Sequence, residues 1–426
     1  MIKWEKMMNI SSESPRSAWQ KVVQFAGFSP VEDQGLILIN KPPENRGDRL
    51  CVSVSDIHLT DGTVGFQNLG KFAWDAFYHS LLQRCKSYSI TEVLFVLDGD
   101  IVDMIRSGQW AKNGIYPWER NRQPLFSKVV NQIIEAIVEK QHKDFFTMLS
   151  ELPRRLQREA GVESVKIVIT LGNHDKEMFC DQQALTYFYE KALGIPLASI
   201  SLSERQAIGK MYGDKTMFED MNTAPYLPFY YGDTGFRFFT THGQWRDKEN
   251  SREVKAKNGS ASWSASDGWN VKKWQALKFS PFLLPCFGDS VAAGVLSTFI
   301  YQVKKQLDNA GYEDQRLNCI LDELDLYRPT YAALTRILQE TDQMRRESRG
   351  EEAIEIIENT LYNCIIEWLS WDFTYETSPF LRRVGLKLAK IILETMKSFE
   401  HGLEITAIAW FMKLLSLLSR HHRKGV

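Results

Sequence analysis

Residues 93–103, with the sequence VLFVLDGDIVD, constrain the fold of this chain more than any other stretch. Their run of apolar and β-branched residues predicts a strand that is buried on both faces, as in a parallel sheet covered by helices. The strand ends at Asp98, and Asp100 and Asp103 follow it closely. Function in an open α/β sheet lies at the carboxyl ends of the strands, and a carboxylate there is costly to desolvate without a cation or hydrogen-bond donors. The stretch therefore indicates either a metal site or a solvated Asp-Gly turn.

Three further stretches have the same form, an apolar strand followed by residues that bind metals. Residues 49–58 end in Asp56-Ile-His58, residues 165–175 end in Gly172-Asn173-His174-Asp175, and residues 236–243 end in His242-Gly243. The i, i+2 spacing of Asp56 and His58 places both side chains on one side of an extended chain. Carboxylate, imidazole and amide oxygen together suit two borderline divalent ions such as Mn²⁺, Zn²⁺ or Fe²⁺. Two such metals close together serve in-line displacement at phosphorus.

In these residues the chain resembles the calcineurin-like metallophosphoesterases. The family pattern is D-x-H, G-D-x-x-D, G-N-H-[DE], a later H and a final G-H-x-H, and the first four motifs stand here in family order between residues 50 and 245. The resemblance implies an α/β fold, the calcineurin-like phosphoesterase β-sandwich flanked by helices. It also implies a dinuclear metal site. Its ligands would be Asp56 and His58 for one metal, Asn173 and His242 for the other, and Asp100 as the bridge between them.

The same resemblance implies roles for three more residues. His174 would face the leaving group as proton donor and would not bind metal. Asp175 would hold the other nitrogen of the His174 ring, which fixes its tautomer. Asp103 would orient a metal ligand and would not bind metal itself. For a histidine such as His174 taken alone, a structural hydrogen bond would be the default role, and the surrounding motif is what changes this expectation.

The expected activity is metal-dependent hydrolysis of a phosphate ester by a metal-bridging hydroxide. The substrate would be a phosphodiester or phosphomonoester of a small-molecule or nucleotide type. Gly-Asn-His-Asp in place of Gly-Asn-His-Glu, and the lack of Arg-Gly after Asp103, differ from the Ser/Thr protein phosphatases. Fold alone does not select a substrate. The alternative is a binding or scaffold protein built on a phosphoesterase fold that has lost catalysis.

The final G-H-x-H of the family is not found in the sequence. His401, His421 and His422 follow His242, and none of them belongs to an H-x-H. Adjacent residues on an extended chain point to opposite sides, so His421 and His422 cannot act as an i, i+2 pair. Each metal would lack one protein ligand. We therefore expect a chain that is C-terminally incomplete relative to the family and binds metal weakly; the alternative is an intact protein in which water or His401 fills the gap.

Composition bounds the remaining possibilities. The 426 residues, 44% of them hydrophobic, are enough for two or three domains with cores of their own. A formal net charge of −1 does not imply a polyelectrolyte partner, so no stable nucleic-acid partner is expected. The six cysteines are widely spaced without a C-x-x-C pair, which predicts reduced thiols in a reducing compartment. The N-terminal residues lack the apolar region of a secretory signal, so we expect a cytoplasmic protein.

Three regions are expected along the chain. Residues 1–250 would form the catalytic core, with a first strand at residues 35–40 and a helical insertion at about 105–160. Within the insertion, apolar residues at helical spacing from Phe126 to Leu152 predict one long amphipathic helix. Residues 251–288 would be a Trp- and Lys-rich linker. Residues 289–426 would be an α-helical bundle of about five helices.

Two shorter patterns leave alternatives open. The aromatic and basic residues 110–122 would either line the substrate pocket or pack under a long loop. The apolar residues 279–300 and 405–418 are too interrupted or too short for a span of about 20 residues, so we interpret them as core helices. The basic last helices would either make peripheral contact with an anionic membrane or pair with the acidic residues 313–376 inside one bundle.

Overall fold

A computed structural model of the chain describes residues 38–39, 48–65, 69–214, 222–233, 235–236, 238–247, 249–252, 279–327, 330–378 and 380–397. Within these residues the protein is mixed α/β, with many helices, a small parallel sheet and a second small sheet that is partly antiparallel. Several predictions fall outside the described residues. They concern most of the expected linker, the apolar residues 405–418, and His401, His421 and His422.

Six strands form the two sheets. They are β1 Leu38–Ile39, β2 Arg49–Val54, β3 Glu92–Asp98, β4 Ser164–Thr170, β5 Tyr231–Asp233 and β6 Phe238–Thr240. Strands β2, β3 and β4 pair in this order, all in parallel, while β5 lies between β1, which is parallel to it, and β6, which is antiparallel. The register aligns Val54 with Leu97 and Asp98 with Thr170. The loops that follow β2, β3 and β4 therefore leave the sheet at the same edge.

Strand β3 is buried on both faces, as its sequence predicts. Val93, Phe95 and Leu97 belong to the main hydrophobic cluster, which includes the helices of the α/β part. Leu94 and Val96 belong to a smaller cluster with residues of β4 and β5. Because successive side chains of a strand point to opposite faces, one face of the parallel sheet packs on helices and the other packs toward the second sheet. This arrangement holds the acidic end of β3 in a fixed position.

The helices of the α/β part are α1 Lys71–Ser87, α2 Gly108–Asn113, α3 Leu125–Glu135, α4 Lys143–Ala160, α5 Gln182–Tyr187 and α6 Leu202–Tyr212. The expected insertion at residues 105–160 is helical, but the single long helix predicted there is wrong. A π-helical segment, Ala136–Gln141, follows α3, and the chain leaves helical geometry at His142, with φ −126° and ψ 31°. The His142 ring contacts the carbonyl oxygen of Thr60 through Nε2 at 2.9 Å. This contact ties the break to the loop that follows β2.

The described residues after 279 are also largely helical. The helices are α7 Phe287–Asp289, α8 Thr298–Asn309, α9 Gln315–Glu323, α10 Thr330–Arg346, α11 Glu351–Trp368, α12 Asp372–Glu376 and α13 Phe380–Lys397. A π-helical segment, Ser290–Ser297, joins α7 to α8 without a break. These helices share a second hydrophobic cluster, whose residues lie between Val295 and Leu393 apart from Val64, which comes from the loop after β2.

One stretch of the described residues, Ser280–Asn309, is long and apolar enough to cross a membrane by length and composition. In its most apolar window, 67% of the residues are buried inside the protein. Burial of this kind is typical of a core helix that packs against its neighbours. This agrees with the interpretation of residues 279–300 as a core helix.

The aromatic residues of 110–122 pack between the insertion and the C-terminal helices. Trp110 is fully buried, and its Nε1–H donates to the carbonyl oxygen of Met104 at 2.7 Å. Trp118 stacks on Phe373 with 4.8 Å between ring centroids and also contacts Trp371. Aromatic packing, one of the two alternatives for this stretch, is therefore what these contacts show, although Trp118 packs against the C-terminal helices and not under a long loop.

Candidate metal centre

Two loops at the edge of the parallel sheet hold three non-glycine residues in the left-handed region. Asp56, His58 and Asp100 have φ values of 52°, 53° and 51°. Such conformations cost about 1–3 kcal/mol each and persist only where the surroundings fix them. Here the two loops fix each other, because the backbone N–H of His58 donates to the carbonyl oxygen of Asp100 at 2.9 Å and that of Asp56 donates to Gly99 at 3.2 Å. Strain of this kind is found at functional sites.

Asp175 joins the loop after β4 to the loop after β3. Its Oδ2 accepts hydrogen bonds from the backbone N–H groups of Asp100 at 2.8 Å and Gly172 at 2.9 Å, and its Oδ1 accepts one from Val102 at 3.2 Å. Burial, together with the nearby Asp100 carboxylate, raises the pKa of Asp175 to about 7. The expectation that Asp175 would hold the His174 ring is therefore wrong. The carboxylate of Asp175 is directed to backbone amides at the sheet edge.

Asp103, and not Asp175, contacts the His174 ring, and it also contacts the ring of His58. Its Oδ2 lies 2.9 Å from His58 Nδ1, and its Oδ1 lies 2.8 Å from His174 Nδ1. Arg106 Nε donates to the same carboxylate at 2.5 Å. Burial raises the pKa of Asp103, but Arg106 and His174 outweigh it and hold the pKa well below its ordinary value. Because the ionised Asp103 carboxylate contacts both Nδ1 atoms, it fixes the orientations of the two rings. Nε2 is then the nitrogen through which each ring can act on a metal or a substrate.

Asp100 lies between two imidazoles, those of His58 and His242, which follow different strands. Its Oδ2 is 3.2 Å from His242 Nε2 and 3.8 Å from His58 Nε2, while its Oδ1 accepts the backbone N–H of His174 at 2.8 Å. His242 Nδ1 donates to the carbonyl oxygen of Asp98 at 2.8 Å, which directs its Nε2 toward Asp100. Burial lowers the pKa of His242, but the hydrogen bond that its Nε2–H donates to the Asp100 carboxylate outweighs it and raises the pKa to about 9. A metal bound here would replace that imidazole proton, because metal ligands bind in their deprotonated forms.

Two glycines allow these groups to come so close. A Cβ added to Gly172 would lie 2.1 Å from Asp100 Oδ1 and 2.2 Å from its backbone nitrogen. A Cβ added to Gly99 would lie 2.6 Å from the His242 ring, and Gly99 also has a φ of 76°. Neither position has room for a side chain. The dense packing of donors therefore depends on glycine at both sites, which fits a cation site rather than a solvated turn.

Gly172→Ala is expected to displace Asp100 and to destabilise the fold by about 1–3 kcal/mol, as overpacking does. The variant should also bind Mn²⁺ more weakly, because Asp100 is the group that moves. Urea unfolding and Mn²⁺ calorimetry measure the two effects. Gly70→Ala is the matched control, since a Cβ at Gly70 would meet nothing within 4 Å. Equal stability and equal Mn²⁺ affinity in the two variants would contradict the steric argument.

The predicted site residues line one cavity of about 900 Å³. Those that reach it are Asp56, His58, Asp100, Asn173, His174 and His242. Asp103 and Asp175 are fully buried and act through the contacts described above. The parallel strand ends thus bring together the side chains that the sequence singles out. Their roles as ligands remain predictions.

Two groups of side chains in the described residues could hold a metal ion. One is His58, Asp103 and His174, and the other is Asp56, His58 and Asp100; in each, the possible ligand atoms lie within 4.8 Å of one another. The Asp103 oxygens are already taken by two imidazoles and a guanidinium. The second group is therefore the better cation site; His242 Nε2 lies 3.2 Å from Asp100 Oδ2, and Asn173 lines the same cavity.

Sequence reasoning missed residues that support the site. Arg106 lines the cavity and compensates the buried Asp103; its i, i+3 position after that carboxylate is a signal that could have been used. Lys176 directly follows Asp175 and is 1% exposed, and its Nζ lies 2.6 Å from Asp289 Oδ2. No local sequence pattern predicts the ion pair of Lys176 and Asp289, because the two residues come from different regions of the chain.

Comparison with known proteins adds no relative. No protein-family model, no curated protein and no solved structure matches the chain.

Proposed function

We propose that this chain is a metal-dependent phosphoesterase whose site takes two divalent cations. The observation that carries the proposal is the position of Asp100, whose Oδ2 lies between His242 Nε2 at 3.2 Å and His58 Nε2 at 3.8 Å. A carboxylate so placed offers a bridge, with Asp56 and His58 for one cation and Asn173 and His242 for the other. Carboxylate, imidazole and amide oxygen suit Mn²⁺, Zn²⁺ or Fe²⁺.

The proposal extends to the fold. The two small sheets share a hydrophobic cluster that contains Leu94, Val96 and Val168 of the parallel sheet and Tyr231 of the other. Two sheets packed face to face, with helices on the outer face of the parallel sheet, support the expectation of a calcineurin-like sandwich. Its active site would lie where the strands end, and Asp56, His58, Asp100 and Asn173 all follow strand ends of the parallel sheet.

The chain's own residues would position the substrate and move a proton. When bound, the two cations would lower the pKa of water and stabilise charge on the phosphoryl oxygens. His174 lines the cavity and is oriented by Asp103 through Nδ1, so its Nε2 is the atom that would protonate the leaving alkoxide. Burial lowers the pKa of His174, but Asp103 and Asp100 outweigh it and the pKa is raised. The raised pKa favours the imidazolium that such a donor requires.

The test uses the full chain loaded with Mn²⁺ and two aryl phosphates, a monoester and a diester. We expect hydrolysis of at least one of them, and we expect His174→Asn to lower kcat by about 10²–10⁴ with metal content unchanged, because a proton donor acts only in the transition state. Mass spectrometry of bound metal and absorbance of the released phenol give the two readouts. His79→Asn, at an exposed histidine of α1, is the matched control and should behave as the unmodified protein.

Two outcomes would contradict parts of this proposal. If His174→Asn loses metal as well as activity, His174 is a ligand and the assignment of its role is wrong. If the protein holds two metals and hydrolyses neither ester, it is a metal-binding protein and not a phosphoesterase toward these substrates.

A further inference from the structure

The cavity at the metal centre has a second lining that the proposed chemistry does not use. It continues between the α/β part and the C-terminal helices, which contribute apolar side chains to a lining that also includes Gln244, Asp247, Glu249 and Asn250. We call these apolar side chains the apolar wall, and it consists of Phe287, Val291, Val295, Leu334, Ile365 and Trp368. These side chains come from α7, the π-helical segment, α10 and α11. The catalytic side chains and the apolar wall therefore border one continuous volume of about 900 Å³.

Two polar side chains that the helical elements of the apolar wall add to the cavity, Trp368 and Asp289, are already paired. The Trp368 Nε1–H donates to Ser290 Oγ at 3.0 Å. Asp289 also lines the cavity, but its carboxylate contacts Lys176 Nζ at 2.6 Å and accepts the backbone N–H of Cys286 at 2.7 Å. Since these groups are satisfied, the wall offers an occupant apolar surface, mainly that of the half-buried Phe287 and Val291, while Val295, Leu334, Ile365 and Trp368 are buried behind it. Such surface favours an apolar occupant over water.

The π-helical segment Ser290–Ser297 supports a binding role for the wall. π-Helical turns are rare and are frequently found at functional sites. Val291, Ala292, Val295 and Leu296 of this segment all line the cavity, and Val291 and Ala292 are only half-buried. The irregular winding thus lies in the wall of the cavity, where it shapes the space beside the metal centre.

We infer that the apolar wall binds an alkyl or acyl chain of the phosphate ester that the metal centre takes, so that the substrates are amphiphilic phosphate esters. This inference rests on the proposed function. The size of the cavity supports it, because about 900 Å³ lies at the upper end of the roughly 300–1,000 Å³ of small-molecule sites. A small phosphate ester would occupy the metal end alone and leave the apolar wall against water. A chain attached to the same phosphate fills both parts.

The experiment titrates ethyl-, butyl-, hexyl- and octylphosphonic acid into the Mn²⁺-loaded full chain and measures Kd by calorimetry. These phosphonates are not hydrolysed, so the readout is binding. Each methylene that enters an apolar site should lower Kd by roughly fourfold. Affinity should therefore rise steadily along the series, and the slope of log Kd against chain length reports the apolar wall.

Three variants separate the two parts of the cavity. Ala292→Phe adds bulk at the apolar wall and should remove most of the dependence on chain length. Ala76→Phe places the same ring on the exposed face of α1 and should leave the slope intact. Asp100→Asn should weaken all four phosphonates by a similar factor and keep the slope, because it acts at the metal end.

The possible failures are distinguishable. If Kd does not depend on chain length while the protein hydrolyses an aryl phosphate, the inference about the apolar wall is overturned and the proposed function stands. If Kd falls with chain length but no ester is hydrolysed, the wall is an alkyl-binding site and the phosphoesterase proposal is overturned. If the slope of log Kd against chain length is unchanged in Ala292→Phe, the alkyl chain binds elsewhere in the protein and the assignment of the apolar wall is overturned.

Discussion

Asp100→Asn is expected to abolish binding of the second divalent ion and to weaken binding of the first by more than roughly 100-fold. A loss of about 100-fold is the upper end for residues that only hydrogen-bond to a metal ligand, whereas Asp100 would bind both metals directly. Hydrolysis of aryl phosphates should be lost with the metals. The reason is the position of the Asp100 carboxylate, which lies within 3.2 Å of His242 Nε2 and 3.8 Å of His58 Nε2. An amide at this position keeps the shape but removes the charge that both cations would share. Metal titration by calorimetry and bound metal after dialysis measure the effect.

Asp98→Asn is the matched control for this variant. Asp98 ends the same strand, but its side chain accepts hydrogen bonds from Thr170 and Thr240, and it is not among the residues that line the cavity. Metal content should therefore be retained in Asp98→Asn. If Asp100→Asn holds two metals per chain, or if both variants lose metal equally, Asp100 is not the bridging ligand.

The position of the candidate site could be predicted from sequence because its signals are local. A doubly buried strand such as residues 93–97 is recognisable from its apolar run, and parallel strands end at one edge of their sheet. The side chains that follow β2, β3 and β4 therefore had to meet. His242 follows β6, which belongs to the other sheet, and only its place in the family motif indicated that it would join them.

The partners inside the site could not all be predicted, since they depend on how each loop turns. Asp175 is next to His174 in sequence, and this adjacency suggested that the two interact. Adjacent side chains generally point in different directions, and here Asp175 is directed to the backbone of Asp100 while His174 faces Asp103. The i, i+3 relation of Asp103 and Arg106 was visible in the sequence, but its meaning required the knowledge that Asp103 is buried.

Contacts between distant parts of the chain had no sequence signal at all. Trp118 and Phe373 stack across the boundary between the insertion and the C-terminal helices. The sequence around either residue does not predict that the other will contact it. The same holds for the apolar wall, whose residues read as ordinary core positions of separate helices. Periodicity predicts which face of a helix is apolar, and it does not predict that part of this face borders a cavity.

Lys176→Met is expected to destabilise the protein by about 3–5 kcal/mol, the usual cost of removing one partner from a buried ion pair. Lys176 and Asp289 are 1% and 2% exposed and lie 2.6 Å apart. Burial lowers the pKa of Lys176, but Asp289 outweighs it and keeps the ammonium charged. Without Lys176, the Asp289 carboxylate stays buried beside Glu177, which is itself fully buried. Urea unfolding measures the loss.

The double variant Lys176→Met with Asp289→Asn tests the cause. It removes both charges while an amide oxygen at position 289 can still accept the backbone N–H of Cys286, so most of the lost stability should return, because no unpaired charge stays buried. Lys71→Met breaks the exposed pair of Lys71 and Asp75 on α1 and should leave stability almost unchanged. If Lys176→Met resembles Lys71→Met, or if the double variant is no more stable than the single one, the buried pair is not what holds this contact.

The position of this pair gives it a consequence for the site. Lys176 directly follows Asp175, which joins the loops of the candidate metal site, and Asp289 ends α7 at the start of the π-helical segment. The pair therefore ties the metal end of the cavity to the apolar wall. In the double variant, phosphonate titration should retain the chain-length dependence if packing alone can hold the two parts together. A folded double variant that has lost this dependence would show that the ion pair sets the position of the wall relative to the metals.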